Sequence, residues 1–81
     1  MLNIQYQGRV ATVDVRENIR RGEHPKAEIL RFVQEAAPGT VIQIHLPIRA
    51  EPLAQGLKSL GLNTTFEELE PGHYRLMCVI I

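Results

Sequence analysis

Val10-Ala11-Thr12-Val13-Asp14-Val15-Arg16, followed by Gly22-Glu23-His24-Pro25 and the run to Pro38-Gly39, is the stretch whose reading decides the fold. Ala11, Val13 and Val15 alternate with Thr12, Asp14 and Arg16, the period of a strand with one buried face. Residues 17–24 are polar and read as a loop. Pro25 suits the first turn of a helix, where its missing N–H costs nothing. Ile29, Phe32, Val33 and Ala36 then recur at helical spacing, and Pro38-Gly39 ends that helix. A strand end thus meets a helix start, where unpaired backbone N–H groups and the positive end of the helix dipole gather.

The pattern extends in both directions. Leu2, Ile4 and Tyr6 alternate with Asn3, Gln5 and Gln7, which reads as an extra, half-buried N-terminal strand before the turn at Gln7-Gly8-Arg9. Thr40 to Leu46 reads as a strand, with Ile42, Ile44 and Leu46 on one face and Val41, Gln43 and His45 on the other. Pro47 ends it. Pro52 opens a second helix with a stripe of Leu53, Leu57 and Leu60 and a cap at Gly61. Gly56 within this helix marks a close approach to the sheet. Asn63 to Leu69 and His73 to Ile81 are the last strands, joined by a turn at Pro71-Gly72. The order is βαβαββ, with crossover helices implying parallel early strands and a closing antiparallel hairpin. In the last strand Leu76, Cys78 and Ile80 point one way and Met77, Val79 and Ile81 the other. With both helices on one side, the second set needs cover, from the N-terminal strand and its flanking chain or from a second copy in a homodimer.

The chain has 81 residues, enough for a single domain over 1–81 with one core and little stability to spare. Its nine basic and nine acidic residues cancel, so no overall field attracts nucleic acid or an acidic membrane. The charges are nevertheless uneven. Residues 1–31 hold Arg9, Arg16, Arg20, Arg21, Lys26 and Arg31 against Asp14, Glu17, Glu23 and Glu28, and the rest leans acidic, with Glu67, Glu68 and Glu70 close together. One cysteine, Cys78, cannot form an internal disulfide, so a reducing compartment is expected. The N-terminus has neither a basic region nor a continuous apolar run, and no stretch is long enough to span a bilayer. A cytoplasmic protein is the expectation.

The ordered set Val13-Asp14-Val15-Arg16, Gly22-Glu23-His24-Pro25, Pro38-Gly39, Pro47, Glu51-Pro52-Leu53 and Leu60-Gly61 resembles the family called domain of unknown function 2249. That family is similar to the TusA/SirA sulfur-carrier group. The resemblance runs from about Val10 to the C-terminus. It implies an α/β (α+β) two-layer sandwich: two helices on a mixed four-stranded sheet, with the last strand lying between the second and third. The C-terminal domain of a bacterial translation initiation factor has a similar architecture. The sulfur carriers place a Cys-Pro-x-Pro motif at the start of the first helix, where the helix N-terminus lowers the thiol pKa. This chain keeps the second proline as Pro25, and Gly22 stands closest to the cysteine's place. Cys78, in the last strand, cannot be the same thiol, so persulfide transfer by that mechanism is not expected.

The residues themselves carry no obvious nucleophile at the junction, and the protein reads as a non-enzymatic module without a cofactor. The candidate site is Asp14, Arg16, Arg20, Arg21, His24 and Pro25, joined by Arg49 and Glu51 before the second helix. Parallel strands end on the same edge, so the two loops should be neighbours. A histidine at a helix start tends to be neutral, able to accept a proton or bind a ligand, although a surface histidine finishing the loop is the commoner meaning. Arg20 and Arg21 with the first N–H groups of the helix suit a phosphate, sulfate or carboxylate; a solvated loop is their bland meaning. Asp14 more often bonds the backbone of the loop after it. His24, His45 and His73 lack close ligand spacing, so no metal site is expected. Glu67 and Glu68 alternate to opposite faces, which excludes a paired-carboxylate acid–base site and suits charged protection of an edge strand. The function expected is a protein-interaction or small-anion-binding module. The rivals are a sulfur-relay or redox accessory protein lacking its own persulfide cysteine, and RNA binding, which zero net charge and few aromatics oppose.

Overall fold

The computed structural model describes residues 2–81. Its elements are β1 (Asn3–Gln7), β2 (Val10–Asp14), α1 (Arg16–Arg20), α2 (Lys26–Glu35), β3 (Val41–Leu46), α3 (Glu51–Ser59), β4 (Thr64–Glu70) and β5 (His73–Val79). The class is mixed α and β, as the alternation of periods implied. Among the described residues the sheet has five strands, the four of the sandwich and the extra N-terminal one, in the order β1-β2-β3-β5-β4, and there are three helices rather than the two expected.

The fifth strand is the N-terminal one. β1 turns back through Gly8 and pairs antiparallel with β2, Ile4 beside Val13 and Tyr6 beside Ala11. Its apolar side chains therefore join the helix-bearing side of the sheet, where Leu2 and Ile4 pack on the core and Tyr6 meets Phe32 edge-on at 6.3 Å. The N-terminal strand extends the sheet sideways and does not cover the face that carries Met77 and Val79.

The third helix is α1, in the segment read as a loop. The Asp14 carboxylate accepts the backbone N–H of Arg16 at 3.1 Å and so starts the turn. Gly22, in the left-handed region at φ 84°, ends it, and its N–H reaches the Ile19 carbonyl at 2.9 Å. Ile19 packs against the core, and Asn18 is buried with its amide donating to Glu23 at 2.9 Å.

β2 and β3 are parallel, β3 and β5 antiparallel, and β4 and β5 close the hairpin. Register places Ala11, Ile42 and Cys78 in one cross-strand row and Val13, Ile44 and Leu76 in the next. These, with Val15, Leu46 and Ile80, form the sheet half of the core. Ile29 and Val33 of α2 and Leu53 and Leu57 of α3 form the other half. Leu60, expected in the α3 stripe, lies past the helix end and is exposed. Gly56 marks a close approach to α2 rather than to the sheet: a Cβ there would stand 3.2 Å from both methyl carbons of Leu30. Among the described residues no helix is long and apolar enough to cross a membrane.

Candidate functional site

The expected site divides into two places. The first is a polar hollow of about 410 Å³ lined by Asn3, Asp14, Arg16, Glu17, Asn18, Arg20 and Arg21. Here the arginines are already engaged. Arg16 donates to Asp14 through Nε at 3.1 Å and Nη2 at 2.8 Å, a two-point ion pair. Arg20 holds Glu17 at 2.9 Å, and Arg21 holds Glu23 at 3.1 Å. The Arg16 guanidinium keeps the Asp14 carboxyl below its ordinary range against the opposing effect of burial. Arg20 and Arg21 thus meet carboxylates of their own segment, and an incoming anion would compete with them.

The second place is a cleft of about 350 Å³ between the two helix starts. Its walls are mostly apolar: Ile19, Ile29, Leu46, Ile48, Ala50, Pro52 and Leu53. Gly22, Glu23, His24, Pro25 and Lys26 form the polar rim. The neighbouring loops expected from parallel strands do meet, since residues 22–26 line one cavity together with Ile48, Ala50, Pro52 and Leu53. Neither α2 nor α3 has a side-chain cap at its N-terminus. Pro25 precedes α2, and its carbonyl accepts the Ile29 N–H at 2.9 Å. Arg49 and Glu51 flank the cleft without lining it. They face each other at 3.7 Å, and the Arg49 guanidinium lies 5.0 Å from the centre of the Phe66 ring. Gly22 is a glycine because of its backbone angle and not for want of space, as nothing stands within 4 Å of a Cβ built there.

A third feature, on the other side of the sheet, joins two of the histidines whose sequence spacing gave no sign that they meet. Rows of the open face run Gln5–Thr12–Gln43–Met77–Thr65 and Asn3–Asp14–His45–Arg75–Glu67. In the second row Arg75 pairs with Glu67. One step along, His73 leans diagonally so that its Nε2 lies 2.8 Å from Nδ1 of His45. Burial first, and the adjacent His73 second, hold His45 below the ordinary imidazole value. Of the three histidines, two therefore meet on the open face, while His24 lines the cleft. Among the described residues no group of three or more His, Cys, Asp or Glu side chains is placed to hold a metal ion. The signal for the pair lies in strand order and register, which single-sequence periodicity does not contain.

Cys78 is buried on the helix side of β5, and burial pushes its thiol up, the behaviour of a core residue rather than a reactive one. Met77 is half-buried in its polar row, Val79 is half exposed beside Val41, and Ile81 is exposed beyond the strand end.

The chain matches no protein-family model, and no curated protein matches it.

Proposed function

We propose that the protein is a non-catalytic binding module whose site is the cleft between the starts of α2 and α3. The observation that carries this reading is the convergence of two uncapped helix N-termini on one mainly apolar cavity. Apolar walls of this size take a short aliphatic group. The rim offers His24, Lys26 and unpartnered helix-start geometry to an anionic end. A small amphipathic carboxylate is the chemical class that uses both parts. The ion-paired hollow at Asp14, Arg16, Arg20 and Arg21 serves as the frame that fixes the loop.

The test is a titration of ¹⁵N-labelled protein with hexanoate, hexylamine and inorganic phosphate. Hexanoate should move the amide signals of residues 22–27 and 48–54 progressively, and the other two should not. Ile48→Glu, at the exposed rim of the cleft, should remove the response without unfolding the protein. Equal response to all three probes, or shifts spread over the whole chain, would overturn the reading.

Two further features favour binding over the rivals inherited from the family resemblance. A buried Cys78 with a raised thiol is a poor persulfide acceptor, and mass spectrometry after exposure to a sulfur donor should find it unmodified. Tyr6, Phe66 and Tyr74 all lie on the helix side by register, so the open face offers no stacking platform for RNA bases. For the homodimer reading, the supporting feature is the uncovered corner of Val10, Val41, Val79 and Ile81. Sedimentation of the protein over a range of concentrations decides it.

A further inference from the structure

We infer that His45 and His73 form a two-histidine chelate for a divalent transition-metal ion, zinc or copper in type, on the open face of the sheet. The two residues sit on adjacent antiparallel strands whose register is fixed by the pairs His45–Arg75 and Leu46–Tyr74. Continuing that register sets His73 beside Pro47, which offers no hydrogen-bonding side chain, and the His73 ring turns to His45 instead. Their facing nitrogens are 2.8 Å apart and their ring centres 5.0 Å apart.

That spacing is close to what an ion requires. A tetrahedral ion held at about 2.0–2.1 Å by both nitrogens sets them about 3.3 Å apart and the ring centres about 5.2 Å apart. The ring centres are already in place, so the nitrogens open by ring rotation rather than by strand movement. The proton shared by the pair moves to the far nitrogen of its own ring. Both facing lone pairs are then free for the ion, with no change in the charge of either histidine.

The surroundings fit the same reading. The far nitrogen of His73, Nδ1, faces Glu70 Oε1 at 3.8 Å. A carboxylate that closes to hydrogen-bonding distance behind a ligating histidine takes its N–H and orients the ring. The charged groups around the pair are Asp14, Arg16, Glu67, Glu70 and Arg75. Arg16 is tied to Asp14 and Arg75 to Glu67, so neither guanidinium presents an unbalanced charge to a cation. With two protein ligands, water fills the remaining positions, and hard ions such as magnesium have no place.

Isothermal titration of the full chain with Zn²⁺ at neutral pH, with Mg²⁺ as control, tests the site. One Zn²⁺ should bind per chain, Mg²⁺ should give no heat, and His45→Gln or His73→Gln should each weaken Zn²⁺ binding about tenfold or more. His24→Gln, in the cleft, should leave it unchanged. The ring ¹⁵N signals of the unmodified protein give a readout that needs no variant. On adding Zn²⁺ they should report metal on Nδ1 of His45 and Nε2 of His73. Zinc binding unaffected by either substitution, ring signals that do not move, or no zinc binding at all would overturn the site.

Discussion

Asp14 serves both the backbone and a side chain with one carboxylate. It accepts the Arg16 N–H at the turn into α1 and fixes the Arg16 guanidinium at two points. The pair is about one-third exposed, so its Coulomb part is screened and the backbone bond carries much of the effect. Asp14→Ala should cost about 1–2 kcal/mol in urea unfolding at neutral pH. Because the folded carboxyl lies below its ordinary value of 3.8, its contribution is present above that value and fades as pH falls through the folded one. The variant should therefore lose less stability than the parent on acidification. His45 acts in a different window. Its folded value lies below the ordinary 6.5, so stability is full above 6.5 and declines as pH falls toward the folded value. His45→Gln should flatten the stability profile below about pH 6.5, measured by urea midpoints without added metal. An unchanged slope would show that His45 takes up its proton equally in the folded and unfolded chain.

Elements long enough to repeat were legible, and the short one was not. β2, β3 and α2 show their period over enough residues to separate strand from helix, and their buried faces are the ones the alternation marks. α1 has five residues and no apolar repeat; Asp14 at one end and Gly22 at the other make it. Gly22→Ala should therefore cost about 1–2 kcal/mol through left-handed strain alone, in thermal or urea unfolding. A loss nearer zero would mean that the turn relaxes. Gly56 was visible as an anomaly, but its partner was not, because a helical glycine does not say which neighbour approaches. Its partner is Leu30 of α2. Gly56→Ala gains about 1 kcal/mol of helix propensity and crowds a half-buried, flexible leucine end, so the net change should stay within about 0.5 kcal/mol. Gly56→Leu cannot be accommodated that way and should destabilise by about 1–3 kcal/mol.

At the scale of the whole molecule, the sheet separates two surfaces of different character. The helix side buries the aliphatic rows and opens at the cleft between helix starts and in the hollows where β1 meets α2. The other side is a field of amides, hydroxyls and mutually paired charges, with the histidine pair at the end near the β4–β5 turn. The loop neighbourhood was legible because parallel strands must end on one edge. The histidine pair was not, since it exists only once β5 lies beside β3 in one register. This division has a measurable consequence. Ile48 lines the cleft on the helix side, whereas His45 meets His73 on the open face. Effects at sites without shared contacts add. The double variant Ile48→Glu/His45→Gln should change the unfolding free energy by the sum of the single changes, within about 0.5 kcal/mol. Ile48→Glu alone should leave zinc affinity unchanged, and His45→Gln alone should leave the hexanoate response intact. A departure from the sum larger than that margin would mean that strand β3 transmits strain between the faces, and that the cleft and the histidine pair work as one site.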